Sequence, residues 1–307
     1  MKLRHAPLAA ALLAAPLLAT AQDAPPPPIK VLCWNVEHFT DPFDDPYTTA
    51  DQDDKGANKN DRQLRLMAQA IKAANADVIA FQEIEGDRAA KFFLDNYLPG
   101  HEYKYFASVP SLQWYQNVAV VSKLPLGPMV SFREVEIYNE VLDRKENKYN
   151  SRLFAVEVKA NDDYKFLLTN LHLKSGSDPE DPIWRKKQIA VIKDYLDTVT
   201  TADPQANILV VGDMNFTPES EEYTAMTTSG GTKLIDPFAG RMLFTHSSRN
   251  PTRQIDFAFF SQGMAPEYVA DSAAVAIPIP HAELATVSDH LPVVISFIPR
   301  NAPAAEK

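Results

Sequence analysis

Polar residues sit at or just beyond the ends of several separate apolar runs, and their types are those of phosphoryl chemistry. Asn35 and Glu37 follow "VLCW", Glu83 follows "VIAFQ", and His172 closes "LLTNLH". Asp213 and Asn215 follow "ILVVG", Asp256 opens "DFAFF", and Asp289 with His290 immediately precedes "LPVVISF". Taken singly, each has a plain structural reading, because a strand-terminal Asp or Asn commonly closes a turn or caps the next helix. Taken together they are harder to assign to turns. Strand ends that gather at one edge of an α/β protein form its usual ligand site.

The donor types fit one chemistry. Glu37, Glu83, Asp289 and the Asn35 amide are hard oxygen ligands suited to Mg²⁺ or Mn²⁺, whereas the single cysteine and the scattered histidines disfavour a thiolate or tris-histidine zinc site. A cation so held polarises a phosphoryl oxygen. Asp213 is placed to orient or deprotonate a water, Asn215 to hold that water or a phosphate oxygen, and His172 and His290 to donate to developing negative charge. Asp256 is the candidate partner that fixes the His290 tautomer.

The elements that must position these residues alternate in kind. "IKVLCWNV", "DVIAFQE", "NVAVVS", "SRLFAVEVK", "KFLLTNLHL", "NILVVGD", "QIDFAFF" and "LPVVISFI" read as strands. "DRQLRLMAQAIKAANA" places Leu64, Met67, Ile71 and Ala74 on one helical face, and "IWRKKQIAVIKDYLDTV" is a second amphipathic helix. Many strands for few helices predict two packed sheets covered by helices.

The chain has 307 residues and opens with Lys2 and Arg4, an apolar stretch and Ala19-Thr20-Ala21. That is the pattern of a signal peptide over 1–21 cleaved after Ala21, so a secreted or periplasmic protein is expected. Residues 22–28 are a Pro-rich spacer, 29–299 one domain and 300–307 a C-terminal tail; no integral membrane segment is expected in the mature chain. Loss of 1–21 leaves 40 acidic against 28 basic residues, a formal charge of −12. Such a surface disfavours extensive phosphate tracking along nucleic acid. The lone Cys33 excludes an internal disulfide and reads as a small buried hydrophobe. In the polar insertion 41–62, Asp51, Asp53 and Gly56 imitate the start of a calcium loop, but Lys55 and Arg62 occupy ligand places.

"CWNVEHF", "FQEI", "TNLHLKSG", "VVGDMN", "RQIDFAFF" and "VSDHLPV" resemble, in order and spacing, the motifs of the endonuclease/exonuclease/phosphatase superfamily. The resemblance implies a four-layer α/β sandwich, deoxyribonuclease I-like, with two packed mixed sheets flanked by helices. It also implies a magnesium-dependent enzyme that hydrolyses phosphoric esters by in-line attack of water. Carried over by motif, Asn35, Glu37, Glu83 and Asp289 are metal-site positions, and His172, Asp213, Asn215, Asp256 and His290 are catalytic. Tyr115 and Arg152 fall where relatives place phosphate-contacting groups.

Three readings of substrate follow. A monomeric nuclease is the first, with nucleic acid as substrate. A phospholipid diesterase of the sphingomyelinase type, or a phosphomonoesterase on a small ester, is the second; a lipid-acting enzyme should show an exposed apolar edge. A non-catalytic binding protein is the third, which the competent residue at every core position disfavours. Trp114, beside Tyr115, fits either a lipid edge or a base-stacking surface, Trp184 fits a packed helix, and His246 and His281 read as loop histidines. Lys174 and Arg253 lie close enough in sequence to the motifs to reach phosphate.

Overall fold

The computed structural model describes residues 26–43, 59–109, 111, 114–241 and 243–300. The expected signal segment 1–21, positions 51–58 of the calcium-like loop and residues 301–307 lie outside the described residues.

Alternation along the strands decides the layers. In β1 (Ile29–Phe39), Val31 and Cys33 point one way and Leu32 and Trp34 the other. β2 (Val78–Ile84) runs parallel to β1, and β4 (Asn117–Ser122) runs antiparallel to β2. With β3 (Tyr105–Ser108), β13 (Ala274–Val275) and β14 (Val293–Phe297) they form a six-stranded sheet in the order β13-β14-β1-β2-β4-β3.

The second sheet also has six strands, in the order β11-β12-β10-β9-β8-β5. Its members are β5 (Leu126–Ser131), β8 (Leu153–Lys159), β9 (Lys165–His172), β10 (Ile208–Asp213), β11 (Leu234–Ile235) and β12 (Asp256–Ser261). Here β9 and β10 are parallel and the other pairs antiparallel. A separate hairpin pairs β6 (Ile137–Asn139) with β7 (Arg144–Glu146). Both sheets are therefore mixed, as expected from the sequence.

Between the sheets lies one apolar layer: Val31, Cys33, Val78, Ala80, Val118 and Val120 meet Phe154, Val156, Leu168, Leu209, Val211 and Ala258. The outer face of the first sheet packs on α1 (Asp61–Ala74) and α2 (Asp87–Tyr97) through Leu64, Met67, Ile71, Phe93 and Leu94. That of the second packs on α3 (Asp181–Ala202) and α4 (Glu221–Thr228) through Ile189, Ile192, Leu196 and Met226. Helix, sheet, sheet, helix is the four-layer sandwich. A short helix α5 (His281–Leu284) precedes β14.

Helix α1 starts where a capping box permits it: the Asn60 side chain accepts from Gln63 N and the Gln63 side chain accepts from Asn60 N, each at 3.0 Å. Trp184 is buried on α3 and Cys33 is buried between the sheets. Among the described residues no helix is long and apolar enough to cross a membrane.

Candidate active site

The alternation that builds the inter-sheet layer also builds the site. Continuing each inward-facing row by two residues leads from Cys33 to Asn35, from Ala80 to Gln82, and from Leu168 through Asn170 to His172. In the same way Val211 leads to Asp213 and Ala258 back to Asp256. The apolar layer thus turns polar at one end. Asn170 donates to Phe81 O and Ala119 O, each at 3.1 Å, and accepts from Gln82 Nε2 at 2.7 Å, so this polar end joins both sheets. Each buried amide there is satisfied, which holds the strand ends in one arrangement.

Two bulges override the alternation. Pairing of β1 with β2 shifts between Asn35 and Phe39, and pairing of β2 with β4 shifts between Gln82 and Ile84. At these breaks Glu37, His38 and Glu83 adopt positive φ of 49°, 49° and 56°, and Asn215 has φ of 52°. Non-glycine residues seldom hold that conformation, and bulges re-aim side chains beside functional sites. Glu83, which strict alternation would send to the helix layer, instead faces the inter-sheet end.

Glu83 gathers three donors: Asn35 Nδ2 at 3.1 Å, Gln116 Nε2 at 2.7 Å and His38 N at 3.3 Å. Burial works against its ionisation, but His172, Asn35, His38 and Gln116 outweigh it and hold the carboxyl below its usual range. Burial first, and then the Arg152 cation, push His172 down, so its ring is neutral. With His172 neutral, Asn35, His38 and Gln116 are the groups that oppose the burial of Glu83.

Asp213 Oδ2 accepts from Asn35 Nδ2 at 3.0 Å and lies 3.6 Å from His172 Nε2 and 3.7 Å from His290 Nε2. Its other oxygen accepts from Asn215 N at 3.0 Å. Burial raises the Asp213 pKa while His290 opposes the rise. On the far side of His290, Nδ1 meets the two Asp256 oxygens at 2.9 and 3.1 Å. Burial alone would lower His290, yet Asp256 and Asp213 outweigh it and push it up to about 10. The imidazolium is therefore held between two carboxylates.

Glu37 and Asp289 meet at a third point, where Asp289 N donates to Glu37 Oε2 at 3.0 Å. Ser288 Oγ donates to Asn35 O at 2.7 Å and accepts from His290 N at 3.0 Å, tying the β1 end to the loop before β14. Trp34 Nε1 donates to His290 O at 3.1 Å from the helix side of β1.

Hard oxygen donors and an orphaned imidazole mark this end as able to hold a cation. Among the described residues, ligand atoms of Glu83, His172 and Asp213 lie within 4.8 Å of one another, as do those of His246, Asp289 and His290 and those of Asp213, Asp256 and His290. Neither ring nitrogen of the buried His172 has a hydrogen-bond partner. A buried polar group without a partner is costly and marks a place for a ligand. Glu37 belongs to none of those three groups and reaches the site through Asp289 N.

Asn35, expected among the metal ligands, presents its amide nitrogen to Glu83 and Asp213, while its oxygen accepts from Glu37 N at 3.0 Å. It thus acts as a donor that spaces two carboxylates. Tyr115 gives its hydroxyl to His38 Nδ1 at 2.8 Å, and the buried Arg152 reaches Gln116 Oε1 at 3.4 Å beside the Tyr149 ring. Asn215 Nδ2 donates to Leu173 O at 3.2 Å.

Four participants carried no signal strong enough in the sequence. His38 and Gln116 bond Glu83 or its neighbours, and only the bulges bring them there. His246, read as a loop histidine, lies 3.5 Å from Asp289 with its ring 4.9 Å from that of His290. Its Nδ1 meets Arg253 Nη2 at 3.2 Å, which places Arg253 beside it. Lys59 donates to Glu37 O at 2.9 Å and to Val287 O, and burial lowers its pKa to about 8 despite Glu37, Glu83 and Asp289.

Solved structures share this fold at low identity. The human Nocturnin catalytic domain with bound sulfate anion superposes with a TM-score of 0.60 at 18% identity, covering 89% of this chain and 95% of that one. An AP endonuclease from Archaeoglobus fulgidus gives 0.61 at 15%, covering 88% and 99%. D. rerio TDP2 complexed with single strand DNA product gives 0.57 at 16%, covering 88% and 98%. No curated protein matches the sequence. The model of the endonuclease/exonuclease/phosphatase family matches residues 32–290, and with that span containing both sheets' site-forming strand ends, the chain belongs to this family and is a phosphoric ester hydrolase.

Proposed function

We propose that this hydrolase is a secreted or periplasmic phosphodiesterase, dependent on Mg²⁺ or Mn²⁺, that cleaves nucleic-acid phosphodiester bonds by in-line attack of water. The observation that carries the reading is Asp213 Oδ2, set 3.6 and 3.7 Å from the imidazoles of His172 and His290. A carboxylate that accepts a proton and two nitrogens that donate to new negative charge are the parts such a hydrolysis needs.

Family enzymes use divalent metal ions. Glu37, Glu83 and Asp289 would hold the ion, which when bound would polarise a phosphoryl oxygen and stabilise charge on the leaving oxygen. Asn35 spaces Glu83 from Asp213. Asp213, its pKa raised by burial, orients the water and takes its proton, with Asn215 steadying that water or a phosphate oxygen. His290, kept charged by Asp256, and His172 face the phosphoryl oxygens; Tyr115 and Arg152 form the phosphate wall. Export is supported by the charged, apolar and Ala-Thr-Ala order at the N-terminus. The named activities of the AP endonuclease and of TDP2 with its single strand DNA product favour nucleic acid as substrate.

A second reading, phospholipid diesterase, is favoured by one observation. The tip of the β6–β7 hairpin exposes Val141 by 60% and Leu142 by 50%, and Ile183 lies in the same cleft. This is the apolar edge that a lipid-acting enzyme would show.

Nicking of supercoiled plasmid by the purified chain with Mg²⁺ or Mn²⁺, beside a chelated control, separates these readings. Metal-dependent nicking that disappears in Asp213→Ala establishes the nuclease. An intact plasmid with hydrolysis of sphingomyelin vesicles would establish the second reading instead.

A further inference from the structure

We propose that Trp114 is a stacking platform for one unpaired base beside the reacting phosphate, so that the preferred substrate is a short single strand; this rests on the nuclease reading above. Of the three tryptophans Trp34 and Trp184 are buried, whereas Trp114 is 38% exposed. Its ring is stacked, offset, on that of Tyr115, with centroids 5.7 Å apart and planes 12° apart, so the partly exposed indole is held against a buried ring.

The platform is bonded to the catalytic end. Trp114 Nε1 donates to Gln116 Oε1 at 2.6 Å, and Gln116 Nε2 donates to Glu83 Oε2 at 2.7 Å. Two hydrogen bonds therefore connect the indole to the site carboxylate. Asn117 Nδ2 holds the backbone from below, donating to Trp114 O and Glu85 O at 2.9 Å each. Arg152 approaches the same Gln116 oxygen at 3.4 Å, with its guanidinium over the Tyr149 ring. A fixed, partly exposed aromatic ring is the kind of group on which single-strand bases stack without their sequence being read.

Membrane anchoring fits this tryptophan poorly. An interfacial anchor turns its indole N–H to the headgroups, whereas here that hydrogen is used inside the protein. The apolar hairpin tip lines a different cleft, with Lys174 and Trp184, in which Trp114 has no part. Duplex DNA fits poorly too. Its bases are already stacked and must be extruded to reach an indole. A formal charge of −10 also gives little purchase on a long run of phosphates.

The test is titration of a fluorescein-labelled ten-residue oligothymidylate, and of the matching labelled dA·dT duplex, with the full chain carrying Asp213→Ala to prevent turnover, followed by fluorescence anisotropy of the label. Tighter binding of the single strand, quenching of the parent's tryptophan emission, and a loss of roughly tenfold to a hundredfold in affinity for Trp114→Ala are expected. Trp114→Phe lacks the indole N–H but keeps an aromatic face, and should bind within about threefold of the parent. In the active background Trp114→Ala should raise KM far more than it lowers kcat. Equal binding of strand and duplex, an unaffected Trp114→Ala, or a Trp114→Phe as weak as Trp114→Ala overturns the platform while plasmid nicking still stands. A parent that neither binds nor cuts any nucleic acid overturns the nuclease reading and the platform with it.

Discussion

His290 and Asp256 face each other through two close contacts: Nδ1 lies 2.9 and 3.1 Å from the carboxylate oxygens, and both residues are buried. Asp256 opens β12 and its backbone pairs with that of Asp213, so a single strand register sets both carboxylates that flank the ring. Replacing the charge while keeping the shape, Asp256→Asn, removes the main influence that holds His290 protonated against its burial. The expected outcome is a kcat lowered by roughly 10²- to 10⁴-fold, the usual range for a lost acid–base partner. Steady-state kinetics with a melting curve checks it, since an equally large fall in stability would make the effect structural.

Cation binding should be visible without turnover. A ligand that binds only the folded state at a hundred times its Kd stabilises by about 2.7 kcal/mol, or roughly 5 to 10 °C for a domain of this size. Mg²⁺ or Mn²⁺ should therefore raise the Tm of the parent, and a chelator should reverse the rise. Glu83→Gln keeps the side-chain volume and the partners Asn35 and Gln116 within reach but lacks the charge, and should lose most of the shift. A parent whose Tm ignores both cations would remove Glu37, Glu83 and Asp289 from the role of ligands.

The layers were legible because strand alternation is a local property. Val31 and Cys33 against Leu32 and Trp34 can be separated by period alone, and Asn35 follows in the same row. His172, Asp213 and Asp256 extend such rows at the same end, so their gathering followed from the strands. Bulges break that rule. The positive φ of Glu37, His38 and Glu83 has no signature in "NVEHF" or "FQEI", so the partners Gln116 and His38 were invisible. Asn35 shows another limit: an amide both donates and accepts, and only the neighbouring carboxylates decide which atom they receive. His246 and Lys59 sit in loops, where period carries no information.

Gly212 explains why a glycine precedes Asp213. Its φ is 148°, and a Cβ there would overlap the Leu171 carbonyl on the adjacent parallel strand. Any side chain must therefore part β10 from β9. Gly212→Ala is expected to cost about 3 kcal/mol, combining backbone strain with overpacking, which lowers Tm by roughly 6 to 12 °C. Activity measured well below the new Tm should fall further than stability does, because Asp213 shifts with its strand and misplacement by about 1 Å can cost on the order of a hundredfold. A fully active variant of unchanged Tm would show that β9 and β10 tolerate separation there.

Lys193 supplies a pH test remote from the cation-binding residues. It lies buried on α3, donates to Thr232 O, and has Asp197 one turn further along. The Asp197 oxygens are engaged by Gly231 N at 2.7 Å and Thr232 N at 2.6 Å, so they only partly serve the lysine. Burial lowers its pKa from 10.5 to about 8, with Asp197 opposing. The sign follows from proton binding. Below pH 8 the lysine is charged in both states and the folded protein carries the whole cost of burying that charge. Between pH 8 and 10.5 the folded state has released the proton while the unfolded chain retains it, so this contribution to stability improves as pH rises. Lys193→Met carries no such cost at any pH. The difference in Tm, variant minus parent, should therefore be larger at pH 7 than at pH 10, whatever the lost bond to Thr232 O adds at both. Melting curves across that range decide it, and a difference independent of pH would show that the buried ammonium keeps its ordinary pKa.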